Sequence, residues 1–247
     1  MSDAPVRQCA ACYAPMGEAA RFCSRCGVPV DAPVHPPRWP ELKVALQLWV
    51  VLILCSGGVG IAMHVTGSES PLHELVGAIA SAVLVIAFAV AMRRELAAAL
   101  SPARVTLRSI LIALVAAGFL LGFIRLYLLG GSLIGFGEIR MIESFESARW
   151  PLWSAIVMIG VEPAVFEEIA FRGIIYQRLQ RVGGPREALV VQAAMFSIIH
   201  LLPAVFISHF VIGLTLGWLR QRTGSLLPGM ITHFVYNTVL VFIEVLY

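Results

Sequence analysis

Long apolar runs separated by short polar connections fill the chain from residue 42 onward. A helix needs about 20 residues to cross a bilayer, and runs of roughly that length or somewhat shorter occur at 42–64, 72–92, 107–129, 151–180, 187–202, 204–219 and 226–247. The fourth run is the longest and contains Pro163, so it predicts one tilted or kinked helix. The pattern as a whole predicts about seven membrane spans.

One polar stretch between these runs has a pattern of its own. In residues 130–149, Ile134, Ile139, Ile142 and Phe145 are interspersed with charged residues. Such interspersion is typical of an amphipathic segment that lies in the membrane interface. A re-entrant eighth span is the alternative interpretation.

Composition supports a membrane protein over the other broad classes. Of the 247 residues, 59% are hydrophobic and 13% are charged, about half the charge of an ordinary soluble domain. These values exclude a disordered chain and a small disulfide-stapled module, and too few charges remain to solvate a soluble globule. The net charge of +3 is too small to indicate a nucleic-acid partner. We therefore expect an all-α, polytopic transmembrane bundle whose first partner is the lipid bilayer.

The basic residues predict how the bundle is oriented. With the N-terminus in the cytoplasm, fourteen Lys and Arg residues fall on the cytoplasmic side, and Arg140 and Arg149 fall outside. Cytoplasmic loops carry an excess of basic residues, so this bias favours a cytoplasmic N-terminus. The predominance of Arg over Lys is typical of a GC-rich bacterial genome. We accordingly expect a multi-pass protein of the bacterial inner membrane.

Residues 1–27 form a separate region that contains four of the five cysteines. They are arranged as two Cys-x-x-Cys pairs: Cys9, Cys12, Cys23 and Cys26. Two such pairs can provide four thiolates for a tetrahedral zinc ion, and a site filled by four protein ligands is structural. Two disulfides are the alternative, which a reducing cytoplasm disfavours. The pattern predicts a small zinc ribbon, and a protein partner for it is possible.

A proline-rich linker is predicted after the ribbon. Residues 28–40 contain five prolines in thirteen positions, a composition typical of an extended, semi-rigid connection. The membrane part is then divided into 41–149, which holds the first spans and the interfacial segment, and 150–247, which holds the candidate chemistry.

The fourth predicted span carries ionisable residues, which are costly in hydrocarbon and therefore indicate function. Glu168 and Arg172 are four residues apart on one helical face, as an ion pair requires. Glu167 is rotated by about 100° from Glu168 and has no cation at helical spacing.

Polar residues in two further spans lie at a similar depth. The fifth span ends with His200, and the seventh contains His233 and Asn237 on one face. At 1.5 Å per residue, Glu167, His200 and Asn237 lie about 17–20 Å from the cytoplasmic side, and His233 lies at roughly 11–14 Å. Three helices are thus predicted to bring carboxylates, imidazoles and an amide to similar depths in the membrane.

This set of groups suits hydrolysis by an activated water molecule. A carboxylate and an imidazole that share a water can activate it as a nucleophile. A second histidine and an asparagine can donate hydrogen bonds to the oxyanion of a tetrahedral intermediate. No Ser or Cys in these spans has a spacing that indicates a covalent nucleophile.

The same residues resemble a known family. Three ordered motifs are similar to those of the CPBP intramembrane proteases, which include the type II CAAX prenyl endopeptidases and the bacteriocin-processing and immunity proteins: Glu167-Glu168-x-x-x-Arg172, Phe196-x-x-x-His200 and His233-x-x-x-Asn237. The resemblance covers about residues 150–237 and implies an intramembrane endopeptidase core. It implies that Glu167 and His200 activate the water, and that His233 and Asn237 stabilise the oxyanion. It also implies that Arg172 holds Glu168, with no catalytic metal.

Two other functions remain open from the residues alone. Glu167, His200 and His233 could bind a catalytic zinc in a membrane metalloprotease, although the chain lacks HExxH and Asn237 would then have no role. A non-catalytic scaffold or immunity protein of the same fold is the other alternative, but all the motif positions are filled. The expected substrate is a membrane-associated peptide, a leader peptide or a prenylated protein.

Overall fold

The computed structural model describes residues 7–8, 15–17, 20–22, 38–133, 135 and 140–246, and over these ranges the chain is an α-helical bundle. Its helices are α1 (Arg38–Thr66), α2 (Pro71–Ala91), α3 (Arg93–Leu100), α4 (Leu107–Leu133), α5 (Glu143–Ser147), α6 (Leu152–Ala155), α7 (Glu162–Glu167), α8 (Tyr176–Val182), α9 (Pro185–Ile198), α10 (Phe206–Thr223) and α11 (Leu227–Leu246). Two π-helical segments, Ile156–Val161 and Glu168–Ile175, join α6, α7 and α8. The predicted all-α membrane bundle is confirmed.

Five of the described helical segments are long and apolar enough to cross a membrane: α1, α2, α4, Pro203–Thr223 (a short 3₁₀ turn with α10) and α11. They correspond to the first, second, third, sixth and seventh predicted spans. The fourth predicted span is divided by its π-helical segments, and the fifth is α9, which has only 14 residues. The protein is therefore an integral membrane protein, and seven spans remains a prediction.

The helix that carries the acidic motif departs from α-helical geometry on both sides of it. Pro163 lies in the first turn of α7 and has no N–H. The carbonyl of Ile159, four residues earlier, therefore lacks its α-helical donor. The side chain of Asn237 on α11 donates to this carbonyl at 2.7 Å. π-Helical turns frequently mark functional sites, and here one segment precedes α7 while the other begins at Glu168, directly after Glu167.

A close contact between α9 and α10 holds the histidine-bearing helices together. A Cβ atom at Gly213 would lie 2.8 Å from the Ala193 Cα atom, and one at Gly217 would lie 2.5 Å from the Gln192 amide nitrogen. Gly213 thus allows the two backbones to approach closely, as at other small-residue helix contacts in membranes, and Gly217 makes room for the Gln192 side chain. Trp49 on α1 donates its indole N–H to the Met195 carbonyl at 2.9 Å, which links α1 to the same pair.

Ion pairs close the end of the bundle where the arginines lie. Arg178 contacts Glu41 at 2.7 Å and Glu95 at 2.8 Å, and Arg181 contacts the same two carboxylates at 3.3 and 2.7 Å. The network joins α1, α3 and α8. At the other end, the backbone N–H groups of Met141 and Ile142 donate to Glu244.

The predicted interfacial stretch 130–149 is helical in two parts that the structure describes. Its first residues extend α4 to Leu133, and α5 forms near its end. Ile142 and Phe145 are buried against Ala155 and Val241. The apolar positions of this stretch therefore include residues that contact the bundle.

The N-terminal region is described only in short pieces. Arg7–Gln8 and Pro15–Met16 pair as antiparallel strands. The four cysteines assigned to the zinc ribbon, Cys9, Cys12, Cys23 and Cys26, lie outside the described residues. The linker was predicted to extend to Pro40, but α1 begins at Arg38. This difference has a simple cause, because proline is tolerated in the first turn of a helix.

Candidate active site

A buried cluster of three charged or polar side chains forms the centre of the site. Arg172 Nη1 lies 2.9 Å from Glu168 Oε1, and both side chains are fully buried. His233 Nδ1 lies 3.1 Å from the same carboxylate oxygen. A carboxylate oxygen accepts hydrogen bonds, so the proton of this contact is on Nδ1 of His233. Glu168 therefore joins the acidic motif to the histidine of α11.

Arg172 is held by more than its carboxylate partner. Its guanidinium carbon lies 4.4 Å from the centre of the Phe196 ring, which is a cation–π contact. Its second terminal nitrogen lies 3.4 Å from the Gly213 carbonyl, which also accepts a 2.8 Å hydrogen bond from Gln192. Arg172 thus connects its own helix with α9, which carries Phe196, and with α10.

Glu167 lies next to this cluster and faces open space. Its side chain is 25% exposed, and its Oε2 atom lies 3.9 Å from His233 Nε2. That distance is too long for a direct hydrogen bond but suits a bridging water. No side chain of the described residues makes a direct hydrogen bond to the Glu167 carboxylate, so its lone pairs can interact with a water or a substrate.

The ring of His200, which follows the end of α9, is oriented by a contact with that helix. Its Nδ1 lies 3.0 Å from the Phe196 carbonyl. Because a carbonyl only accepts, the proton is on Nδ1, and the neutral ring keeps a lone pair on Nε2. The ring of His209 packs against the ring of His200, with the two ring centres 3.8 Å apart. The Nδ1 atom of His209 lies 3.0 Å from the Val205 carbonyl. His209 therefore packs against one side of the His200 ring.

Glu167 and His200 both line a cavity of about 280 Å³. Its remaining walls come mainly from α1 and α2, and the polar residues among them are Cys55, Ser56, Glu74, Ser81 and Glu162. The cavity contains space for water beside the two groups that could activate it. A hydrolytic site requires this arrangement.

Asn237 occupies a different position from His233. Its amide nitrogen donates to the Ile159 carbonyl that Pro163 leaves free. One of its two N–H groups is used in this bond, so the other remains to serve a ligand. The residue stabilises the distorted helix next to the site.

Two residues that contribute to this arrangement were not selected by the sequence analysis. Gln192 is fully buried and shares the Gly213 carbonyl with Arg172. A Cβ atom at Gly229 would lie 2.9 Å from Glu168 Oε2, so glycine makes room for that carboxylate. Gln192 could have been selected from the sequence, because an amide side chain in an apolar span usually forms a hydrogen bond between helices. Nothing in the sequence indicated Gly229.

Within the described residues, no group of three His, Cys, Asp or Glu side chains converges in a geometry that could hold a metal ion. The four N-terminal cysteines lie outside the described residues.

Fold and site together define a polytopic membrane protein with a buried carboxylate–arginine–histidine cluster next to a cavity of about 280 Å³. Residues 148–239 match the family model described as "Rce1-like: Type II CAAX prenyl endopeptidase Rce1-like". The match covers the stretch whose motifs resembled that family and confirms the resemblance there. A search of curated proteins found no match, and neither did a search of solved structures. The description names a peptidase family, so the match supports a protease.

Proposed function

We propose that this protein is an intramembrane endopeptidase that hydrolyses a peptide bond with a water activated by Glu167 and His200. The supporting observation is the position of these two side chains on one cavity, next to the buried cluster formed by Glu168, Arg172 and His233. The family match over residues 148–239 supports the same reaction class.

In this proposal Glu167 accepts a proton from the attacking water, His200 accepts a hydrogen bond from it through Nε2, and the water oxygen bonds to the peptide carbonyl carbon. Glu167 then donates that proton to the leaving nitrogen as the C–N bond breaks. The free lone pairs of both groups suit these roles. One π-helical segment precedes α7 and another begins directly after Glu167, and the cavity of about 280 Å³ beside it has room for the peptide carbonyl.

His233 and Asn237 stabilise the oxyanion that forms when water attacks. The second N–H of Asn237 is free to donate, while His233 uses Nδ1 for Glu168. Donation from His233 Nε2 therefore requires a ring that carries protons on both nitrogens. Arg172 acts through Glu168, so we regard both as positioning residues.

A comparison of membrane peptides tests this function. Cells that express the parental protein should contain cleavage products that are missing from cells that express Glu167→Gln. The Glu143→Gln variant is the control for the substitution itself, because Glu143 on α5 is exposed and is not among the residues that line the cavity. Identical peptide sets from the parental and Glu167→Gln cells would contradict the proposal.

A further inference from the structure

The cavity that contains Glu167 and His200 is not placed symmetrically between the two ends of the bundle. Its walls include Glu74, which is one turn from the Pro71 end of α2, and none of its lining residues precedes Leu52 in α1. Both observations place it towards the turn that joins α1 and α2. This turn is at the opposite end from Arg38, Arg93 and the other clustered arginines.

A floor of packed apolar residues separates the cavity from the arginine-rich end. Leu52, Val85 and Ala170 line the cavity and are also buried members of the main hydrophobic core. Below them, Leu48 and Leu96 are buried in the same core. A charged peptide segment or water would have to displace this core to enter from that direction.

Polar contacts close the arginine-rich end itself. In addition to the ion pairs of Arg178 and Arg181, the Leu226 N–H donates to the Ala99 carbonyl at 2.8 Å, and Arg104 donates to the Gly224 carbonyl at 3.0 Å. The α10–α11 connection is thus bonded to α3 and to the segment after it. At the other end of the cavity the walls are polar, because Glu74 and Glu162 line it there, and the Glu74 carboxylate accepts a 3.0 Å hydrogen bond from Ser144 of α5.

From this asymmetry we infer that substrate and water reach Glu167 and His200 from the arginine-poor side of the membrane. The arginine-rich side is cytoplasmic according to the bias of basic residues. The substrate class is then a peptide segment exposed outside the cytoplasm, such as the emerging part of an exported peptide or membrane protein. A prenylated C-terminus in the cytoplasm would have to approach from the closed end. This inference rests on the proposed function for the reaction, but the direction of access can be measured separately.

Thiol labelling from one side of the membrane measures this direction. Cys55 is free and lines the cavity, so it is a native probe once the four N-terminal cysteines are replaced by serine. Ser81→Cys, in a background that also carries Cys55→Ala, is a second probe on α2. The reagent is a small, membrane-impermeant, cationic methanethiosulfonate, applied to intact cells and to inside-out vesicles, with labelling read from the mass of the purified protein.

Three controls calibrate the labelling. Ser68→Cys, in the exposed turn after α1, reports the arginine-poor side, and Ala103→Cys, exposed after α3, reports the arginine-rich side. Val83→Cys lies two residues from Ser81 on α2, but Val83 is 59% exposed on the outside of the bundle and is not a cavity residue. A charged reagent should not reach the thiol of Val83→Cys through lipid. Labelling of the cavity thiols without labelling of Val83→Cys therefore indicates an aqueous cavity and not leakage of the reagent across the membrane.

The inference predicts that both cavity thiols react in intact cells, within about tenfold of the rate at Ser68→Cys, while Ala103→Cys reacts only in inside-out vesicles. Reaction of the cavity thiols only in inside-out vesicles would overturn it. So would an absence of reaction from both sides when Ser68→Cys and Ala103→Cys both react. Labelling does not depend on catalysis, so the Glu167→Gln variant should give the same pattern. A failure of the proposed reaction would therefore leave this result unchanged.

Discussion

The buried ion pair between Arg172 and Glu168 should be essential for folding, and Arg172→Met tests this directly. The variant keeps an unbranched side chain but removes the charge and its donors. Glu168 is fully buried, so it would retain its carboxylate with His233 as its remaining described partner. Breaking a buried pair from one side costs about 3–5 kcal/mol, since an uncompensated charge is left behind.

The chain provides a matched control for this experiment. Arg140 and Glu146 form an ion pair of the same length, 2.9 Å, but their side chains are 40% and 48% exposed. Exposed pairs contribute about 0–1 kcal/mol. Arg140→Met should therefore have a small effect, although the two pairs have the same chemistry and the same distance between charged atoms.

The assay is the free energy of unfolding of the purified protein in mixed micelles. Arg172→Met should lower the folding equilibrium constant between about a hundredfold and several thousandfold. The double variant Arg172→Met with Glu168→Leu should recover part of this loss, because it leaves no charge unpaired. If Arg172→Met costs no more than Arg140→Met, the idea that this pair organises the site is wrong.

Two further predictions concern metals. The predicted ribbon should bind one structural zinc ion, so zinc content should fall in a Cys23→Ser, Cys26→Ser variant, and unchanged content would contradict the ribbon. Activity should survive a strong chelator in a variant that lacks residues 1–38, because a water activated by Glu167 and His200 needs no metal. Loss of activity that added zinc restores would instead favour the metalloprotease alternative.

The sequence predicted those parts of the structure that depend on local spacing. The all-α membrane architecture followed from the length and composition of the apolar runs. The contact of Glu168 with Arg172 depends only on the separation of four residues along one helix. Pro163 predicted that the fourth span departs from a regular α-helix, since proline removes a backbone donor wherever it lies in a helix, and π-helical segments do precede and follow α7.

Contacts between helices could not be derived from spacing. The bond from His233 to Glu168 depends on how α11 is rotated and shifted against the helix of the acidic motif. The donation from Asn237 to the Ile159 carbonyl depends on the same register, although Pro163 already indicated that this carbonyl needs a donor. The division of the helix into α-helical and π-helical turns, and the short length of α9, also result from packing rather than from local propensity.

The central claim is that Glu167 is the general base, and the turnover of a verified substrate peptide by purified variants tests it most directly. Glu167→Gln keeps the size and polarity of the side chain but removes its basicity. Its kcat should fall by about a hundredfold to ten-thousandfold, the usual contribution of a positioned general base. Its unfolding free energy should remain close to that of the parent, because the Glu167 side chain has no hydrogen bond to lose within the described part of the chain. The control Glu143→Gln, at an exposed position of α5, should cleave at a rate near that of the parent. Cleavage by Glu167→Gln at the parental rate would contradict the account.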